Sequence, residues 1–257
     1  MSIDKVNGVL WSSIVKVTGV VKANIAKVGG ASVVGDADIS FDDITLSSAV
    51  QTINPSTSFT MTLPTTAGTG DWVLALFTID SPVSSDVIND PSGWTLINTS
   101  TWGSSTSDAH IKLWYREFDG SEGSSVPITS TISSTRGIVA WTMVVSNIDT
   151  ANPISAVGNP SISIGTVVTA PSVLVPDDGT FICINAFDGS DGEPFTYDNS
   201  SFAFTDGGED DASTGGSGVS SAWKYATITG GTNTDTTLIT AQVSDGKVAG
   251  HFALKKL

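Results

Sequence analysis

Asp71-Trp72-Val73-Leu74-Ala75-Leu76-Phe77-Thr78-Ile79 follows the turn signal Ala67-Gly68-Thr69-Gly70 and is dense in apolar residues from Trp72 to Phe77. So short a run, bounded by turn residues, predicts a middle strand of a sheet and not a helix, which needs more length. Working outward, Ser58–Leu63 alternates Phe59, Met61 and Leu63 with hydroxyl-bearing residues, the period of a half-buried strand. Downstream, Asp90-Pro91-Ser92-Gly93 is a turn signal before Trp94–Asn98. His110–Phe118 alternates Ile111, Leu113 and Tyr115 with Lys112, Trp114 and Arg116. Ile138–Ile148, with Val139, Val144 and Val145, is the longest apolar run and predicts a second buried strand. Similar segments recur to Val248–Leu254 at a spacing of 8–15 residues. That spacing, with no long amphipathic helix, predicts an all-β fold, an antiparallel β-sandwich of jelly-roll-like type. The stretch Asp206–Gly216, rich in glycine and carboxylates, reads as a surface loop within it.

Composition supports the same class. Of 257 residues, 36 are Ser and 32 are Thr, while Lys and Arg number only 11. Hydroxyls, not ions, carry the polarity, which suits strands and turns and disfavours a helical bundle. The net charge of −15 disfavours nucleic acid as a partner, because phosphate binding needs a basic surface. A single cysteine, Cys183, excludes an intramolecular disulfide. No apolar run is long enough to insert in a membrane, and the first residues lack the pattern of a secretory signal.

The charge divides the chain. Residues 1–35 carry +3 and residues 36–257 carry −18. The basic part also repeats with a period of 11: Lys5-Val6-Asn7-Gly8-Val9, Lys16-Val17-Thr18-Gly19-Val20, then Lys27-Val28-Gly29-Gly30, with Ile3, Ile14 and Ile25 in a second register. Valine and a central glycine both lower helix propensity, so each unit predicts two short extended pieces around a bend. Three such units bury no core alone and need neighbours. Residues 1–35 therefore read as an anchoring and oligomerisation segment, with Lys5, Val6, Gly8, Val9, Trp11, Ile14, Lys16, Val17, Gly19, Val20, Ile25, Lys27 and Val28 as its contact set. A plain tail is the competing reading, and exposing Trp11, Ile14 and Val20 to water weighs against it. Residues 36–257 are the β-sandwich head.

Two groups of residues carry a resemblance. The pattern Lys-Val-Asn-Gly-Val-x-Trp-Ser-Ser-Ile-x-Lys-Val-x-Gly-Val at residues 5–20 resembles the N-termini of structural proteins of tailed bacteriophages, particularly marine ones. Gly70–Ala75, Pro91–Ile97, Leu113–Arg116 and Asn147–Ile154 are similar, in order and spacing, to a sandwich module of phage fibres and virion surface proteins, over roughly residues 40–255. The resemblance implies a virion location, capsid or tail proteins as partners, a homotrimer, and contact with a host receptor or surface glycan. The chain lacks the long shaft or collagen-like stretch of many tail fibres, which points to a short fibre or a capsid decoration protein. It implies no catalytic residue.

The residues themselves offer little chemistry. The only histidines are His110 and His251, and no serine sits in a Gly-x-Ser-x-Gly elbow. Cys183, within Phe181-Ile182-Cys183-Ile184, reads as an inert thiol inside a strand. Glu117/Asp119 and Asp191/Glu193 are spaced as carboxylate pairs for a glycosidase, a weaker reading than a non-enzymatic role. Asp188, Asp191 and Glu193 are calcium candidates within one glycine-rich run, against the alternative of solvated turn residues; no other cofactor is indicated. Trp102, in the polar run Thr99–Ser105, is the candidate glycan contact, against packing on its own sheet or at an interface.

Overall fold

The computed structural model describes residues 38–52, 57–80, 87–98, 102–103, 109–131, 135–189, 194–212 and 218–257, together with six two-residue strands within the first 32. No described residue is helical. The short strands form three hairpins: β1 (Lys5–Val6) with β2 (Val9–Leu10), β3 (Lys16–Val17) with β4 (Val20–Val21), and β5 (Lys27–Val28) with β6 (Ala31–Ser32).

The body is an all-β antiparallel sandwich. Its first half holds β7 (Ser40–Thr52), β8 (Ser58–Thr62), β9 (Trp72–Asp80), β10 (Thr95–Leu96), β11 (Ala109–Glu117), β12 (Ser125–Thr129) and β13 (Thr135–Ser146). Its second half holds β14 (Ile154–Val157), β15 (Ser161–Ala170), β16 (Leu174–Val175), β17 (Gly179–Asp188), β18 (Thr196–Asn199), β19 (Thr205–Ala212), β20 (Val219–Ile228), β21 (Thr232–Asn233) and β22 (Thr237–Lys255). The first sheet has the order β10-β11-β9-β13-β7; the second has β14-β22-β17-β20-β19, with β15 and β18 also paired to β22.

The apolar run that opens the sequence reading is β9, the middle of the first sheet and buried along its whole length. Alternation explains the density. Trp72, Leu74 and Leu76 enter the core between the sheets, whereas Val73, Ala75, Phe77 and Ile79 enter a second core on the outer face. The inter-sheet core joins Leu113, Trp141 and Met143 to Ile182, Trp223 and Phe252. The outer core of the first sheet is roofed by the β8/β12 pair through Phe59, Met61 and Ile128. The second sheet is likewise covered outside: Cys183, Phe187 and Ala249 lie under Val168, Phe195 and Ile239, and Phe181 and Ala253 lie under Val175. The molecule is thus a sandwich with a cover on each outer face, more layers than the two facing sheets the sequence predicts.

The two halves share one plan. In each, a central strand (β9, β17) pairs with the next long strand (β11, β20) and with the last one (β13, β22). An edge strand, two residues long in the first half and eight in the second, pairs in the same register, Thr95 with Tyr115 and Thr205 with Tyr225. The small outer pairs, β8/β12 and β16/β21, occupy the same places in the connectivity. The body is an internal duplication whose copies pack face to face.

One expectation is overturned. Asp206–Ala212, read as loop, is most of β19, paired to β20 with a bulge at Gly207. The glycines are required by close approach and not by a bend: a Cβ on Gly207 would lie 2.3 Å from the Trp223 indole, and one on Gly208 2.7 Å from Trp141 Nε1. The turn before Trp94 also sits one residue later than predicted, closed by Trp94 N–H to the Pro91 carbonyl at 3.1 Å, with Gly93 at φ +81°.

Candidate functional site

The N-terminal repeats give three hairpins of one register. Val6 pairs with Val9, Val17 with Val20 and Val28 with Ala31, so two residues connect the strands each time. Asn7-Gly8, Thr18-Gly19 and Gly29-Gly30 connect them in sequence; Asn-Gly and Gly-Gly are pairs that two-residue hairpin turns favour, and Thr18-Gly19 shares only their second glycine. Lys5, Lys16 and Lys27 each open a hairpin and pair with its last residue, Leu10, Val21 and Ser32. Of the predicted contact set, Gly8, Trp11, Ile14, Gly19 and Ile25 lie outside the described residues. The ladder of each hairpin is two residue pairs long, far below what a free-standing hairpin needs for stability.

Trp102 is not a glycan platform. It is 3% exposed and belongs to the inter-sheet core. Trp102 N–H donates to the Ile111 carbonyl at 3.0 Å and Ile111 N–H donates to the Trp102 carbonyl at 2.7 Å, which ties Trp102 to the edge of β11. Its ring then lies against Gly250, where a Cβ would stand 2.5 Å from it. Burying an indole is worth roughly 3 kcal/mol, which local polarity does not offset.

The calcium candidates fall only in part within the described residues. Asp188 ends β17, while Asp191 and Glu193 lie outside the described residues. Among the described residues no group of three or more His, Cys, Asp or Glu side chains is placed to hold a metal.

Cys183 and His251 face each other across β17 and β22. Proximity does not make them a reactive pair. Burial alone pushes the Cys183 thiol far up and lowers His251 to about 4, so both are neutral. The imidazole bonds the Thr234 and Thr237 hydroxyls, each at 2.9 Å, and Asn199 donates to Thr237 Oγ1 at 2.9 Å. This is a satisfied polar network under the cover of the second sheet.

Of the carboxylate pairs read as glycosidase candidates, Glu117 ends β11 and Asp119 lies just beyond it, while Asp191 and Glu193 lie outside the described residues. Bonding to the Ser121 hydroxyl and to Ser121 N–H, the latter at 2.8 Å, helped by Arg116, holds the Asp119 carboxyl below the usual range. Its neighbour Glu122 sits 2.8 Å from Arg116. A glycosidase acid needs the opposite shift.

Two concavities lie among the described residues. A slot of about 10 Å³ between Trp72, Tyr115, Ile154 and Leu254 has room for one water. A shallow groove of about 470 Å³ runs between β7 and β8, lined by Leu46, Phe59 and the hydroxyls of Ser47, Ser48, Ser58, Thr60 and Thr62. Sequence reasoning misses this groove because no single segment carries it. No family model, curated protein or solved structure matches the chain.

Proposed function

We propose that this chain is a structural protein of a tailed-bacteriophage virion, a short fibre or capsid decoration whose first 35 residues join it to the particle and whose sandwich projects outward. The observation that carries the reading is the triple hairpin: three copies of one register, each headed by lysine, at the front of a body of opposite charge. Isolated ladders so short need neighbours for stability, and sister subunits or another protein of the particle can supply them, so they suit attachment. The double-covered sandwich suits a rigid projecting unit. In this reading the protein has no catalytic task, assembles from several copies, and reaches the host through its outer surface.

The test is a phage carrying this chain without residues 1–35. Quantifying the truncated protein in purified particles should show loss of incorporation while the soluble body accumulates in the cell. Truncated protein incorporated at full copy number contradicts the proposal.

The hydroxyl-lined groove favours a second reading, an adhesin module that binds a receptor or surface glycan, since converging hydroxyls match sugar hydroxyls. A glycan array probed with residues 36–257 tests it; no binding at high protein concentration removes it.

A further inference from the structure

The two sheets end on the same flank of the sandwich. β7 is the last strand of the first sheet, β19 is the last strand of the second, and β19 lies against β7. Among the described residues neither strand has a backbone ladder on its outer side. A long edge strand is a template for further pairing unless charge, proline or a cover blocks it. Here β7 runs for 13 residues with only one bulge, at Asp43, where φ is +46°. Its Ile44 and Leu46 are 43% and 45% exposed. Leu46 stands opposite Trp141 in the ladder, so it faces the seam between the sheets and not the groove roof alone. The flank thus presents two open edges with an uncovered aliphatic pair between them.

The β19 rim of that flank is acidic on its outer side, the side of Lys224 and Phe195. Along β19, Asp206 and Glu209 are exposed. Asp206 takes one lysine of its own chain, Lys224 at 2.6 Å, and Glu209 accepts from Phe195 N–H at 3.0 Å, which leaves net negative charge on the edge. The complementary feature in this chain is its N-terminal segment. Each repeat offers a lysine followed by valine in an extended hairpin, and residues 1–35 carry +3 against −18 for the rest.

We infer that the flank formed by β7 and β19 receives an N-terminal hairpin from a second copy of this chain. The hairpin adds to the open edge, its valines cover Ile44 and Leu46, and its lysines meet the carboxylates of β19. Backbone pairing supplies affinity, and charge sets which surface is chosen. The contact is head-to-tail, so it builds a ring or a row of copies. The inference rests on the reading of residues 1–35 as the assembly segment and names the body surface that those residues meet.

Sedimentation of the full-length chain at low and high salt tests this. We expect self-association at low salt that weakens at least tenfold in apparent affinity at high salt. Full-length protein with D206K and E209K should lose association, and I44S with L46S should weaken it by a similar factor. Thermal melts of each variant establish that the body is folded. Changing Lys5, Lys16 and Lys27 to Glu in the D206K/E209K chain should restore association, because the charges are exchanged and not removed. A monomeric full-length chain at low salt overturns the inference. So does association that survives deletion of residues 1–35, while the anchoring reading stands or falls on incorporation of that truncated chain into particles. Association that is lost on that deletion but unchanged by both flank variants overturns this inference alone and leaves the anchoring reading intact.

Discussion

The N-terminal hairpins and the body use the same interaction, the antiparallel ladder, across very different stretches of chain. In the hairpins Val6 meets Val9; in the body Ser40 meets Ser146 and Phe181 meets Ala253. Closing a two-residue loop costs little entropy, but two pairs of residues bury almost nothing, so the hairpins depend on what they touch. The body closes long loops and offsets that cost with three stacked cores. One region therefore has almost no core of its own, whereas the other holds its fold together by burial. A second contrast lies inside the body. At equivalent places in the duplicated plan, Thr142 donates to the Thr62 carbonyl at 2.6 Å in the first half, whereas His251 joins Thr234 and Thr237 in the second. The register supports the equivalence, with Met143 opposite Leu74 and Phe252 opposite Ile182.

The sharpest way to break the picture of a self-sufficient body is at its shared core. Trp223 is fully buried between the sheets, with Gly207 and Gly208 against its ring. Trp223→Ala should cost about 3–5 kcal/mol, and both halves should unfold in one transition by chemical denaturation. Separate transitions for the two sheets would show two independent domains.

Acid should distinguish the halves next. His251 is neutral when folded, with a value near 4 against 6.5 for the free side chain. Between those values the unfolded chain binds a proton that the folded one does not, so stability falls as pH drops from 6.5 to 4. The loss approaches roughly 3 kcal/mol at the lower end. Urea midpoints across this range should show the slope, and His251→Gln should flatten it. A slope unchanged in that variant removes His251 as its source.

Gly208→Ala should cost about 1–3 kcal/mol through contact with Trp141 and Trp223. A neutral effect on the melting temperature would mean that β19 shifts freely, and that the flank is softer than described. The smallest effect expected is that of deleting residues 1–35, which should change the body's stability by less than about 0.5 kcal/mol. A larger loss would place the hairpins within the body's own fold.

Legibility in the sequence followed how local each cause is. β9 and β13 are plain in Trp72–Phe77 and Ile138–Val145, because a strand covered on both faces must be apolar at every position. The hairpins are plain because period and turn residues lie within each unit. β19 is hidden because Gly207 and Gly208 serve indoles that come from Trp223 and Trp141, on two other strands. Trp102 is hidden for the same reason: its neighbours are polar in sequence, and Gly250, which makes room for it, lies far along the chain. The duplication is hidden because equivalent positions hold different residues, Leu113 matching Trp223 and Trp141 matching Gly250, while the ladder register persists. The hairpin repeat is legible in the sequence and the flank of open edges is not, since that flank joins β7 and β19 from opposite halves.

The claim at the centre is that the hairpins suffice for attachment. Fusing residues 1–35 to an unrelated folded carrier and counting that carrier in purified particles tests this directly. The account predicts incorporation of the fusion, reduced when Lys5, Lys16 and Lys27 are changed to Glu. Exclusion of the fusion, with residues 36–257 alone incorporated, would contradict it.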